Sequence, residues 1–147
     1  CFLYFFIALL SVPPVLAEEC QTISEQGVAD LFERWNTSLQ TGQPEKVVEN
    51  YADDSILLPT LSNQPRVTKA EKLNYFEHFL AKHPSGTIDF RHIERGCNMV
   101  VDAGLYTFTF APTGEQAHGR YSFTYRWNGQ NWLISSHHSS LMPETSH

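Results

Sequence analysis

The stretch Tyr125-Arg-Trp-Asn-Gly-Gln-Asn-Trp-Leu-Ile-Ser-Ser-His-His-Ser-Ser-Leu-Met-Pro143 decides the fold of this chain. Two aromatic-rich segments flank Asn128-Gly129-Gln130-Asn131, and Asn-Gly is the strongest short signal for a β-hairpin because its residues accept positive φ values. We therefore expect a strand, a tight turn and a second strand. The second strand carries His137 and His138, which point to opposite faces of the sheet.

The second half of the chain, upstream of this hairpin, also has strand periodicity. Segments 87–97, 98–111, 119–127 and 131–140 are predicted to be successive strands of an antiparallel meander. Aromatic residues alternate with threonine, serine and arginine along them, so one face is aromatic and is expected to be the concave, buried face. The aromatic positions are Tyr106, Phe108, Phe110, Tyr121, Phe123, Tyr125 and Trp127.

The first half of the chain has helical periodicity. Apolar residues recur at helical spacing over 28–39, after a capping-box pattern at 22–25. A proline at a first-turn position starts a short second helix over 44–51, and a short strand follows at 55–58. A second capping box introduces a third helix over 68–83. Helices followed by strands indicate an α+β fold.

Length and charge limit the classes of function. The 147 residues carry 10 basic and 16 acidic side chains, a net charge of −6, and no basic run that follows a phosphate backbone. Nucleic acid is therefore not an expected partner. The sequence has no repeat or linker, so a single domain is expected over 18–147.

Residues 1–17 are predicted to be a secretion signal whose start is missing. The stretch 2–16 is almost entirely apolar, and Val15-Leu16-Ala17 has small residues at the positions that signal peptidase recognises. A retained membrane anchor is the alternative, although about fifteen apolar residues are short for a span. We expect a periplasmic or secreted domain with no membrane attachment after the signal is removed.

The cysteine count agrees with export. Loss of Cys1 with the signal leaves Cys20 and Cys97, an even number in an oxidising compartment. A disulfide between them is expected to tie the start of the first helix to the middle of the sheet, and two buried thiols are the alternative. The chain-entropy model gives about 4–5 kcal/mol for such a loop, whereas measured effects are nearer 2–4 kcal/mol.

Three segments carry a resemblance to a known fold family. They are Leu31-Phe-Glu-Arg-Trp-Asn36, Tyr51-Ala-Asp-Asp-Ser-Ile-Leu-Leu-Pro59 and Trp132-Leu-Ile-Ser-Ser-His-His-Ser-Ser140. Together with the order of elements, they resemble the nuclear transport factor 2-like superfamily, which includes SnoaL-like proteins, over residues 22–143. Within it, the chain is most similar to bacterial relatives of the association domain of calcium/calmodulin-dependent protein kinase II.

The resemblance implies a cone-shaped fold, in which a strongly bent antiparallel or mixed sheet wraps a long helix and leaves a pocket at the wide end. It also implies a homodimer through the open sheet face. The fold hosts steroid isomerases, scytalone dehydratase and polyketide cyclases, so it assigns no reaction by itself. The sequence contains no Gly-rich nucleotide loop, no Val-Ala-Ile-Lys segment and no Asp-Phe-Gly, so phosphoryl transfer is not expected.

The resemblance also bears on the ligand. In the association domain of the kinase, two pocket arginines help to bind small carboxylates. The matching positions here are Ser139 and a position near Phe123. The loss of both charges favours a neutral, partly aromatic ligand with hydroxyl or carbonyl groups. Arg91 or Arg120 could restore a positive charge, but Arg120 has the parity of the outer face unless a β-bulge reverses it.

His137 is the candidate general acid or base. Parity with Ser139 predicts that it faces the pocket, and an imidazole with the usual pKa near 6.5 moves protons close to neutral pH. A carboxylate, Asp54 or Asp102, would have to orient it. The alternative is that His137 is a hydrogen-bonded wall residue and that His138 lies on the dimer face.

No metal or other cofactor is predicted, because the seven histidines are scattered without a recognised ligand spacing. Small-molecule sites are mostly apolar with a few directed polar groups. On that basis the predicted pocket residues are Trp35, Tyr51, Tyr75, Phe76, Phe79, Arg91, Phe108, Phe123, Tyr125, His137 and Ser139.

Two functions from different classes are consistent with the sequence. The first is a non-catalytic, exported homodimer that binds a small organic molecule or serves as an assembly module. The second is an isomerase, dehydratase or cyclase of the SnoaL-like type with His137 as general acid or base. The second function requires a contact between His137 and a carboxylate inside the pocket.

Overall fold

The computed structural model describes residue 1, residues 12–15 and residues 19–144. This part of the chain contains three helices and five strands. In chain order they are α1 Glu25–Leu39, α2 Pro44–Val48, β1 Tyr51–Leu58, α3 Lys69–Leu80, β2 Pro84–Gly96, β3 Met99–Phe110, β4 Gln116–Trp127 and β5 Trp132–Leu141. The predicted α+β class is confirmed.

The five strands form one mixed sheet in the order β1-β5-β4-β3-β2. Strands β2 to β5 pair antiparallel with their neighbours, as the predicted meander requires. Strand β1 pairs parallel with β5, and Leu57 lies beside His137. Strand β1 therefore lies next to the strand that carries His137 and His138.

The hairpin between β4 and β5 has the predicted turn. Gly129 adopts a φ of 98°, a value that glycine tolerates without steric cost. The Asn128 side-chain oxygen accepts hydrogen bonds from the N–H groups of Gln130 at 2.9 Å and Asn131 at 2.8 Å. Side-chain and backbone chemistry within four residues therefore fix the register of the two strands.

Some predicted boundaries are wrong. The N-cap of α1 is Ser24, whose hydroxyl accepts from the Gly27 N–H at 3.0 Å, rather than Thr22. Helix α2 ends at Val48, and β1 begins at Tyr51 instead of residue 55, because Tyr51 already pairs with β5. The capping box of α3 is confirmed, with Thr68 and Glu71 bonded to each other's backbone N–H.

The aromatic face of the sheet packs around α1, as the alternation predicts. Phe32 and Trp35 of α1 contact Phe123 edge-on at ring-centroid distances of 6.2 and 5.5 Å. Trp35 also meets Phe108 at 6.1 Å. Such edge-to-face pairs add about 0.5–1.5 kcal/mol each beyond the area that they bury. The core therefore lies between α1 and the inner face of β3 and β4.

A β-bulge in β2 and a polar bridge from α1 shape the sheet around the helix. The register of β2 against β3 shifts between Ile88 and Phe90. At this shift Gly104 approaches the Phe90 carbonyl so closely that an added Cβ would lie 1.9 Å from the oxygen. The Asn36 amide bonds both the N–H and the C=O of Gly86, which joins α1 to β2.

The predicted disulfide between Cys20 and Cys97 is present, with the two Cα atoms 4.9 Å apart. Cys97 lies in the turn between β2 and β3, so the bond reaches the end of the sheet. The prediction that it reaches the middle of the sheet is wrong. A second contact supports it, because the Gln21 N–H donates to the Asn98 side chain at 2.7 Å. The segment that precedes α1 is thereby attached to this turn.

Most of the predicted signal segment lies outside the described residues, so its structure is not described. Among the residues that are described, no helix is long and apolar enough to cross a bilayer.

Candidate functional site

A cavity of about 180 Å³ opens between α3, the loop after β1 and the inner face of the sheet. Exposed side chains mark its mouth, namely Leu61, His78, Lys82 and His118. Lys82 lies over the Phe110 ring, with its Nζ 5.7 Å from the ring centroid. The interior is mainly aromatic, and its aromatic walls are Trp35, Tyr75, Phe76, Phe79, Tyr106, Phe108 and Phe110.

His137 lies at the inner end of this cavity and belongs to a hydrogen-bonded series. The Trp35 indole N–H donates to the Tyr51 hydroxyl oxygen at 3.2 Å, and that hydroxyl lies 2.8 Å from Nδ1 of His137. Phe123 stacks on the imidazole at a centroid distance of 4.0 Å. Because the Tyr51 oxygen accepts from Trp35, its own hydrogen is free for Nδ1, which leaves Nε2 to carry the imidazole hydrogen.

The environment of His137 keeps the ring uncharged. The side chain is 3% exposed, and burial, with a smaller contribution from the charge of His138, lowers the pKa of His137 to about 3. Its Nε2 is buried and has no hydrogen-bond partner in the described structure. A ring with this pKa is neutral at physiological pH and is a poor general acid or base there.

Neither predicted carboxylate orients His137, because its hydrogen-bond partner is Tyr51. Asp54 is exposed. Asp102 is fully buried but accepts from the Tyr121 hydroxyl at 2.9 Å and pairs with Arg91 at 3.1 Å. The contact between His137 and a carboxylate that the enzymatic alternative requires is therefore not present among the described residues.

Arg91 balances a buried carboxylate and does not border the cavity. Burial by itself lowers the pKa of Arg91, but the charge of the adjacent Asp102 carboxylate raises it by more. The pKa of Arg91 is therefore above its ordinary value. A buried carboxylate is stable only when it is paired and hydrogen-bonded, and Arg91 with Tyr121 meets both needs of Asp102. The charge of Arg91 is thus occupied within the fold.

Three hydroxyl groups form the polar corner of the cavity. The Tyr106 hydroxyl donates to the Ser139 hydroxyl, whose oxygen lies 2.6 Å from the Thr60 hydroxyl. Tyr106 is buried, whereas Ser139 and Thr60 are half-buried, and all three border the cavity. Burial raises the pKa of Tyr106 far above its ordinary value, so its phenol stays protonated.

The cavity brings together seven of the eleven predicted pocket residues, which are Trp35, Tyr75, Phe76, Phe79, Phe108, His137 and Ser139. The other four lie elsewhere. Tyr51 and Phe123 contact His137 away from the cavity, and Arg91 pairs with Asp102. Tyr125 is in the core, where its hydroxyl is buried without a partner among the described residues. Their predicted role in ligand binding stays a prediction.

Sequence reasoning missed several residues that border the cavity. Tyr106 shares the inward parity of Phe108, so alternation was a sufficient signal for it. Thr60 and Leu61 belong to the irregular loop after β1, and Lys82 follows the end of α3. No periodicity predicts the orientation of residues in such segments. These irregular parts of the cavity mouth therefore had no sequence signal.

The described residues show no metal centre. Within residues 12–15 and 19–144 there is no group of three or more histidine, cysteine, aspartate or glutamate side chains placed to hold a metal ion. Most of the polar groups of the cavity are hydroxyls and imidazoles.

A family model of the calcium/calmodulin dependent protein kinase II association domain matches residues 24–143. A crystal structure from Xanthomonas campestris, described as an association domain of this kind, is 41% identical to the chain. The comparison covers 87% of this chain and 97% of that one, with a TM-score of 0.79. No match was found among curated proteins.

More distant structures share the fold alone. A nuclear transport factor 2-like superfamily protein from Salmonella enterica is 16% identical, with a TM-score of 0.68, and the match covers 82% of this chain and 92% of that one. A protein of unknown function with a cystatin-like fold from Nostoc punctiforme is 14% identical, with a TM-score of 0.72, over 86% and 96% of the two chains. These matches confirm the predicted fold.

Proposed function

The chain belongs to the calcium/calmodulin-dependent protein kinase II association domain family, and from that premise we propose that it is an exported, non-catalytic homodimer that binds a small neutral organic molecule. The cavity of about 180 Å³ is the observation that carries the proposal. An apolar cavity of about 150 Å³ is known to bind benzene. The volume therefore suits a molecule of one or two small rings.

The lining favours an uncharged ligand. Among the described lining residues Lys82 alone has a permanent charge, and it is exposed at the mouth. A charged group placed deeper in the cavity would lose its hydration without gaining a counter-ion, which costs several kcal/mol. Arg91 offers no compensation because it is paired with Asp102.

The state of His137 favours binding over catalysis. Proton transfer in the SnoaL-like alternative requires an imidazole that titrates near neutral pH and is oriented by a carboxylate. His137 instead has a pKa of about 3 through burial, and its hydrogen-bond partner is a tyrosine. It is better suited to be an uncharged wall of the cavity.

The homodimer is supported by the outer face of the sheet. Strand β3 contributes an apolar stripe of Val101, Ala103 and Leu105, and the neighbouring Phe90 of β2 is 59% exposed. The strands on either side of this stripe differ in charge. Strand β2 has Asp89 and Glu94 there, and strand β4 has Arg120 and Arg126.

This pattern is self-complementary. A two-fold axis along β3 would place the acidic strand of one copy opposite the basic strand of the other, with the apolar stripes in contact. Sheets that pack face to face bury such stripes. The outer face therefore has the features that an isologous interface needs.

Export is supported by the disulfide between Cys20 and Cys97, because such bonds persist in oxidising compartments and are rare in the cytosol. Fractionation of the natural host cells, with an antibody against the domain, tests this part of the proposal on the protein as the host makes it. Recovery in the periplasm or the medium with the disulfide formed is expected, and a reduced protein in the cytosol would contradict it.

Ligand binding is tested by NMR titration of the ¹⁵N-labelled protein with a panel of neutral one- and two-ring compounds that includes indane. We expect saturable shifts at residues that border the cavity. Ala117→Leu is the matched control, because Ala117 borders the cavity on β4 and a larger side chain would occupy the space. The proposal fails if no compound binds, or if binding is the same in the Ala117→Leu variant.

A further inference from the structure

We propose that the cavity selects ligands that carry a carbonyl oxygen, and that the hydroxyl groups of Thr60 and Ser139 supply the hydrogen bond that selects them. This inference rests on the proposed function, because it specifies the ligand of the same cavity. The ligand class is a neutral ketone, aldehyde, ester or amide on a body of one or two apolar rings.

A count of hydroxyl hydrogens supports the proposal. Tyr106, Ser139 and Thr60 have three hydroxyl hydrogens between them. One is used between Tyr106 and Ser139, and a second is used between Ser139 and Thr60, whichever of the two donates. One hydrogen therefore remains, on either Thr60 or Ser139, and both side chains border the cavity.

That remaining hydrogen has no acceptor in the part of the chain that is described, since the hydroxyls of Thr60 and Ser139 make no other side-chain hydrogen bond there. A ligand oxygen that accepts from this half-buried hydroxyl replaces solvent as its partner, and such an exchange strengthens binding about 3- to 10-fold. The donor also lies in an otherwise apolar space, where a hydrogen bond is stronger than in water. A purely hydrocarbon ligand would leave it unpaired.

The groups around the donor are uncharged, which favours a neutral acceptor over an anion. Tyr106 is a neutral phenol, and His137 at the inner end of the cavity is a neutral imidazole. Hydrogen bonds from neutral hydroxyls do not offset the burial of a carboxylate. A carbonyl oxygen needs one donor and little else, so it matches what the cavity offers.

The test compares indane with 1-indanone, which differ by one carbonyl on the same ring system. The ratio of their dissociation constants is measured by NMR titration for the wild type and for the triple variant Thr60→Val/Tyr106→Phe/Ser139→Ala, which has none of the three hydroxyls. All three must be replaced, because removal of one leaves a free hydrogen on another. Thr60→Ser, which keeps the hydroxyl, is the matched control.

We expect the preference for 1-indanone over indane to fall about 3- to 10-fold in the triple variant, the effect of one neutral hydrogen bond. The Thr60→Ser variant should keep the wild-type ratio. Equal ratios in the wild type and the triple variant would overturn the inference while leaving cavity binding intact. Failure of both compounds to bind the wild type would instead overturn the proposed function.

A measurement on the wild type alone covers the case in which the triple variant does not fold. The infrared carbonyl stretch of bound 1-indanone is compared with that of 1-indanone in cyclohexane. A hydrogen bond from Thr60 or Ser139 shifts the stretch to lower wavenumber. A bound ligand with the cyclohexane frequency has no such bond and would overturn the inference.

Discussion

The buried, neutral His137 predicts an acid-dependent loss of stability that one substitution should remove. Burial holds its pKa at about 3 in the folded protein, whereas an unfolded histidine titrates near 6.5. Between these values the unfolded chain binds one more proton than the native state at this site. His137 therefore contributes stability that is present above pH 6.5 and is lost as the pH falls toward 3.

The size of the effect follows from the two pKa values. Stability falls by about 1.4 kcal/mol for each pH unit within the window. Between pH 7 and pH 3.5 the site alone accounts for about 4 kcal/mol, a large part of the 5–15 kcal/mol that is typical of a domain. The carboxylates of the protein add their own dependence, so a difference between variants is required.

His137→Asn isolates the contribution. Asn does not titrate, and its side-chain oxygen lies near the position of Nδ1, where it can accept from Tyr51. Urea unfolding at one protein concentration, from pH 7 to pH 3.5, should show that the wild type loses about 4 kcal/mol more than the variant.

His92→Gln is the control, because it removes a histidine whose side chain is 65% exposed. It should follow the wild type across the pH range. Parallel curves for the wild type and His137→Asn would refute the conclusion that His137 is buried and uncharged.

Other predictions concern the covalent and packing features of the fold. Cys97→Ser should lower the free energy of unfolding by about 2–4 kcal/mol in urea titrations, and a reducing agent should then have no further effect. Gly104→Ala should destabilise by about 3 kcal/mol through a clash with the backbone of β2. Gly96→Ala, whose added Cβ would meet no atom closer than 3.7 Å, should change stability by less than about 0.5 kcal/mol. Phe90→Ser should convert a dimer to a monomer in sedimentation equilibrium, whereas Leu61→Ser, away from the sheet face, should not. A monomeric wild type would contradict the dimer.

Features that depend on local sequence were predictable. The turn at Asn128 and Gly129 and the inward aromatic face of β3 and β4 follow from residue type and a period of two, and both are confirmed. The capping box at Thr68 is local in the same sense. Ser24 and Thr22 are both good capping residues, so residue type alone did not identify the cap of α1.

Features that depend on distant contacts were not predictable. The parallel pairing of β1 with β5 joins residues far apart in the chain and lengthens β1 to Tyr51. The hydrogen bond between Thr60 and Ser139 spans 79 positions and depends on an irregular loop. The choice of Tyr51 rather than a carboxylate as the partner of His137 follows from the same pairing. Parity predicted that His137 faces inward but not what it contacts.

A crystal structure of the full chain with indane at saturating concentration tests the ligand-binding proposal most directly. We predict electron density for one indane molecule in the cavity, against the rings of Phe79 and Phe108, with the side chains of the cavity near their present positions. An empty cavity at saturating ligand, or a cavity closed by its own aromatic side chains, would contradict the proposal.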